Sequence, residues 1–372
     1  MSLSADERLY RVDADELVAL RASGERLRPA RTRSARSALA GAHRSRFHGR
    51  GMDYRESRHY QPGDDIRNMD WRITARSGHA HVKVFDEERE RPVVVLVDFS
   101  ASLFFASQGV FKSVQAARLA ALIGWSAIGH GDRIGALLFT DAAQGSQHQE
   151  LSPASGRRGQ MRLIRALVQA GAPDMALRKQ GADRDPLGGE PLFPSAERTA
   201  ARAGSLTAQT TSKQVDKDSN SGLSAALMRL RRVARPGSLV FLLSDFYSAD
   251  AESKRHLSRL AQHNDLNAIQ LLDPLELAPP PPGRYGISDG RRRAVLDTRS
   301  GGERERYAQR LAQHHQRVRE LTLENGIGLL PCLTTDDPVE RLSELLASRG
   351  GKGRGGVSGD QIAAARRPLG GA

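Results

Sequence analysis

From residue 91 onward, short apolar runs alternate with stretches whose apolar positions recur every three or four residues. Residues 93–97 (Val-Val-Val-Leu-Val), 133–140, 238–245, 266–272 and 327–333 are rich in Val, Ile, Leu and Phe. Runs this short, with consecutive apolar positions, suit strands covered on both faces, as in a parallel sheet. Between and after them, 112–130, 157–170, 221–227, 251–262, 302–325 and 337–348 read as helices, for example through Val114, Ala117, Leu122 and Ile128 in the first. Strand and helix units repeated in this way predict an α/β fold built on a doubly wound, mostly parallel sheet.

Ahead of residue 91 the pattern changes. Residues 1–48 form an arginine-rich N-terminal segment in which Asp13 precedes a helix start and 31–50 has no sustained period. In 49–90, the turn Pro62-Gly63-Asp64-Asp65 is followed by a short helical stretch near Ile66, Met69 and Trp71, then by alternation over His81–Phe85 as in an edge strand. The density of Arg and Asp there predicts an ion-pair network or a docking surface, in an accessory region of helical and β character. The main domain spans 91–349, with a Gly-, Ser- and Thr-rich insertion over about 173–219 that has few apolar anchors. A basic, Gly-rich tail covers 350–372.

Composition narrows the function classes. A single cysteine, Cys332, excludes an internal disulfide framework and a zinc site of several thiolates. No stretch is long and apolar enough for a transmembrane helix, and the amino terminus is polar and acidic, so the expected setting is the cytoplasm. The excess of 56 Lys+Arg over 43 Asp+Glu raises nucleic acid as a partner. Interleaved acids and only 5% aromatic residues argue against it and leave an acidic protein surface as an alternative.

The candidate chemistry gathers at strand ends. The 93–97 run stops at Asp98, followed by Ser100 and Ser102; Ser221 stands at a helix start; the 238–244 run stops at Asp245. In open α/β sheets, ligands bind outside the carboxyl ends of the strands, so Asp98 and Asp245 can share one site. Carboxylates and hydroxyls are hard oxygen donors suited to Mg2+ or another divalent cation. Serine also caps helices, which is the alternative for Ser100 and Ser102. A haloacid-dehalogenase-type phosphatase would require a second aspartate at the position of Ser100, and no Walker loop, GxSxG elbow or HExxH helix is present. The pair His314-His315 reads as part of a solvated helix face.

Asp98-x-Ser100-x-Ser102, Ser221 and Asp245 resemble the metal-ion-dependent adhesion site of von Willebrand factor A-type domains, with Ser221 in place of the usual threonine. Tyr60-Gln61-Pro62-Gly63-Asp64-Asp65-Ile66-Arg67-Asn68-Met69-Asp70-Trp71, with Asp273-Pro274-Leu275-Glu276 further on, resembles the signature of the domain of unknown function 58 family. The resemblance implies a von Willebrand factor A-like fold and a cytoplasmic adaptor in protein-complex assembly or maturation; the oxygen ligands, with no general base or nucleophile pair beside them, lead to the expectation of a non-catalytic, cation-dependent protein-interaction module. Its implied partners are a MoxR-type AAA+ ATPase and an acidic protein ligand or client. Nucleic-acid binding through the basic termini and metal-dependent hydrolysis are the competing expectations.

Overall fold

The computed structural model describes residues 3–27, 52–87, 91–140, 147–172, 222–288 and 293–348. Two compact units divide the chain, residues 33–91 and the remainder. In the smaller unit, β1 (Met52–His59) pairs antiparallel with β2 (His81–Glu87). The connection carries a 3-10 turn at Ile66–Asn68 and helix α3 (Trp71–Ser77). Asp70 caps α3 by accepting a hydrogen bond from the Ile73 amide at 3.2 Å, while its other oxygen accepts the Ser57 hydroxyl at 2.8 Å. Arg58 pairs with Asp64 at 2.7 Å. Among the described residues, the expected network thus includes the Arg58–Asp64 ion pair and charge-assisted hydrogen bonds to the Asp70 carboxylate.

The larger unit is built on six strands: β3 (Pro92–Asp98), β4 (Arg133–Thr140), β5 (Gln147–Ser155), β6 (Leu239–Ser244), β7 (Asp265–Leu272) and β10 (Gly328–Leu333). Their spatial order is β10-β7-β6-β3-β4-β5, all parallel except β5 against β4. Counted within this sheet alone the order is 3-2-1-4-5-6, the doubly wound arrangement, which reverses direction between β3 and β6. A separate hairpin joins β8 (Arg284–Ser288) to β9 (Arg293–Asp297).

Alternation along β3 assigns its side chains to two cores. Val93, Val95 and Val97 join the cluster that includes α4 (Lys112–Gly129) and α5 (Gly156–Ala170), whereas Val94 and Leu96 join the cluster of α6 (Gly222–Val233) and α7 (Ala251–Ala261). A central strand must be apolar on both faces for this to hold, which is why the run is unbroken. The second face is completed by α8 (Gly301–Glu324) through Val318, and the first by α9 (Pro338–Ser348) through Leu342 and Leu345.

Helix α4 is buried almost all round because the N-terminal helices cover its outer side. Asp13 caps α1 (Ala14–Ala19), and α2 (Arg21–Arg26) follows directly. The Trp125 indole N–H donates to the Leu17 carbonyl at 2.9 Å and the Ser126 hydroxyl to the Leu27 carbonyl at 2.7 Å. Residues 3–27 are thus part of the main core. Residues 28–51, the 173–219 insertion and the tail from 349 lie outside the described residues.

Candidate functional site

Parallel pairing of β3 with β6, Val97 opposite Leu243, carries the chain from both strands to the same edge of the sheet. Asp98 and Asp245 sit there, each about 1% exposed. One Asp98 oxygen accepts the Ser100 amide at 2.8 Å and the other the Ser244 hydroxyl at 2.6 Å. Burial, and after it the charge of Asp245, raises the Asp98 pKa to about 7. Both carboxylates are thus held in a dry setting at one edge of the sheet.

Ser100 stands at the N-cap of the 3-10 turn Ala101–Leu103, yet its hydroxyl makes no capping bond. The oxygen is buried and lacks a well-formed hydrogen bond, although the hydroxyl lies near enough to Asp98 to lower that group's pKa. Ordinary capping therefore does not account for this serine. Ser102 is exposed on the same turn. Ser221 falls outside the described residues, immediately before α6.

The sequence did not reveal the cation already at this edge. Lys112, the first residue of α4, extends a fully buried side chain whose ammonium bonds Asp245 Oδ2 at 3.0 Å and Glu276 Oε1 at 2.9 Å. Burial opposes its charge, but the two carboxylates outweigh that and its pKa is raised. Burial raises the pKa of Glu276 in turn, with Lys112 opposing the shift. The signal available was a lysine set at the head of a long apolar helix, where the helix dipole disfavours a cation.

Asp273-Pro274-Leu275-Glu276 builds the floor of the cluster. Asp273 and Glu276 form a capping box around a 3-10 turn, with Glu276 Oε2 accepting the Asp273 amide at 2.8 Å. Asp273 also accepts the Ser107 amide and hydroxyl, both at 2.6 Å, and so pins the loop between β3 and α4. A capping-box spacing was visible in the sequence; the partners it would hold were not.

Next to Asp245 the backbone is strained. Phe246 has φ 60°, the one non-glycine residue with positive φ among the described residues. Such a conformation costs about 1–3 kcal/mol and persists where the surroundings impose it. Here the Phe246 amide donates to the Ser244 hydroxyl at 2.9 Å and the Tyr247 amide to Asp245 Oδ1 at 3.2 Å. His314 Nε2–H donates to the Asp245 carbonyl at 2.9 Å, and its ring stacks on Tyr247 at 3.9 Å. The solvated-face expectation for His314 is corrected: the residue is 6% exposed, and burial pushes its pKa down, keeping it neutral. Its partner His315 is half-buried and bonds the Glu276 carbonyl at 2.8 Å. Helical period alone cannot distinguish a solvated histidine from one buried against a neighbouring strand end.

A divalent cation fits part of this arrangement. Asp98, Ser100 and Asp245 offer hard oxygens, and the unsatisfied Ser100 Oγ marks a place for a further bond. Among the described residues no three His, Cys, Asp or Glu side chains converge as a self-sufficient metal site. No helix among the described residues is long and apolar enough to cross a membrane.

Comparison with known proteins places the chain in a family. The uncharacterized protein Rv1480 of Mycobacterium tuberculosis is 28% identical over 324 residues, 87% of this chain and 86% of that protein. Solved structures similar to this chain include the conserved hypothetical protein BatB from Bacteroides thetaiotaomicron, 11% identical with a TM-score of 0.33, covering 69% of this chain and 98% of that one. A von Willebrand factor type A structure from Catenulispora acidiphila is 12% identical with a TM-score of 0.32, covering 73% and 43%. The family model described as "Protein of unknown function DUF58" matches residues 56–317, most of the chain, and the protein belongs to that family.

Proposed function

We propose that this protein is a non-catalytic interaction module that holds an acidic side chain of a partner protein through a divalent cation at the Asp98–Asp245 edge. Mg2+ bound there would supply positive charge between the carboxylates and an open position for the incoming ligand. Asp98 and Asp245 would hold the ion, Ser100 would add its buried hydroxyl oxygen, and Ser102 and Ser221 are the remaining candidate donors. Ser244 orients Asp98 through its 2.6 Å hydrogen bond, and the strained turn at Phe246 fixes Asp245. The observation that carries the reading is the buried Ser100 hydroxyl, which lacks a well-formed hydrogen bond, beside a carboxylate whose ionisation is opposed first by burial and then by Asp245.

A partner of the MoxR AAA+ ATPase type is the specific form of this proposal. Its direct test uses the purified full chain and a candidate ATPase in a pull-down with Mg2+ or chelator. Capture should require Mg2+ and disappear in Asp98→Ala; equal capture in chelator would remove the cation from the account. Retained cation-dependent capture of other acidic proteins, without the ATPase, would remove only the partner.

A further inference from the structure

The proposed cation is not the first positive charge to reach Asp245. Lys112 already holds that carboxylate at 3.0 Å, with its side chain 1% exposed and its ammonium 5.7 Å from the centre of the Tyr247 ring. An ion and an ammonium cannot both draw fully on one carboxylate without repelling each other. One of the three groups must therefore adjust when an ion binds.

Asp245 is poorly placed to do so. Its carbonyl is bonded by His314, its other carboxylate oxygen by the Tyr247 amide, and the next residue sits at a positive φ that the surroundings enforce. The lysine has an alternative. Glu276 accepts the same ammonium at 2.9 Å, and its own position is fixed by the capping box with Asp273. Moving Nζ toward Glu276 keeps it paired and releases Asp245.

Resting on the function proposed above, we infer that Lys112 is a tethered competitor for Asp245: its ammonium and the divalent cation are alternative partners, and Glu276 receives the ammonium when the ion binds. Lys112 thereby lowers the affinity of the empty site for the ion alone, so that a ligand carboxylate contributes a larger share of the holding energy. The unsatisfied Ser100 hydroxyl is the independent sign that the cluster is incomplete with the lysine in place.

Isothermal titration of the full-length protein with Mn2+ tests this. Lys112→Met should bind Mn2+ on the order of tenfold more tightly than wild type, the effect of removing one nearby positive charge. Because loss of the lysine leaves buried acids unpaired, Lys112→Met/Glu276→Gln serves as a second variant and should also bind more tightly. Adding Asp98→Asn should abolish binding in each background. A measurement without substitution accompanies these: the Lys112 ammonium resonance of wild type should shift on saturation with Mg2+. Binding by wild type with no tightening in either folded lysine variant, or with an unmoved ammonium resonance, would overturn the competitor while leaving the cation site. No Mn2+ binding by any variant would overturn both.

Discussion

Asp98 is a carboxylate whose ionisation the fold opposes. Its pKa is raised to about 7, first by burial and then by Asp245, against about 3.9 in an unfolded chain. Between those values the folded state binds the proton more than the unfolded state does. Stability from this group is therefore full below about pH 4, falls as pH rises, and is lost above about pH 7. Asn at this position does not titrate. In chelator, the melting temperature of Asp98→Asn relative to wild type should be higher at about pH 8 than at about pH 5. A difference that does not change between the two would mean that Asp98 is not held against ionisation. Added Mg2+ should raise the wild-type melting temperature more at the higher pH, where the carboxylate is available.

At the same scale, legibility from sequence was uneven. Asp98, Ser100 and Asp245 could be found because each follows an apolar run whose end is easy to see. Lys112 and Glu276 could not be assigned to the site, because their meeting depends on where α4 begins relative to a turn more than a hundred residues later. His314 was misread because helical spacing leaves open which polar position meets the end of a neighbouring strand.

Among elements, the loop between β3 and α4 does most to shape the site, and its anchors are polar. Ser107 is tied to Asp273, the Val110 amide donates to the Thr334 carbonyl at 3.2 Å, and the Phe111 amide to the Leu9 carbonyl at 2.8 Å. Gly109 makes this route possible. It has φ +71°, and a Cβ there would collide with the Thr334 carbonyl oxygen, a backbone atom with little freedom to move. Gly109→Ala should cost about 1–3 kcal/mol in chemical denaturation. It should also weaken cation binding by disturbing Ser100 and Ser102. Wild-type stability and wild-type affinity together would show that the loop does not need this conformation.

Long helices and buried strands were readable because their periods extend over many residues. Four strands were not: β1, β5 and the two of the β8–β9 hairpin. In β5, Gln147–Ser155, the apolar content is low because an edge strand needs to be apolar on one face at most, and Pro153 interrupts the pattern. In β1, Met52–His59, polar and charged residues fill most positions, so pairing with β2 carries the strand where hydrophobic alternation does not.

For the whole molecule, strand order matters more than any single element. The sheet reverses direction between β3 and β6, and the two aspartates stand at the carboxyl ends of those two strands. Topology thereby brings together residues about 150 positions apart in the chain, as doubly wound sheets do for ligands of many kinds. The alternation of strands and helices allowed this class of fold to be recognised in advance. It did not foretell that residues 3–27 would close the outer side of α4, because short amphipathic helices do not name the surface they cover.

The most direct test of the central claim is a crystal structure grown with Mn2+, with anomalous scattering measured at a wavelength that identifies the ion. The expected result is an anomalous peak bonded by Asp98, Ser100 and Asp245, with the Lys112 ammonium withdrawn toward Glu276. A fully formed cluster with Lys112 still on Asp245, and no peak beside Asp98 at saturating Mn2+, would contradict it.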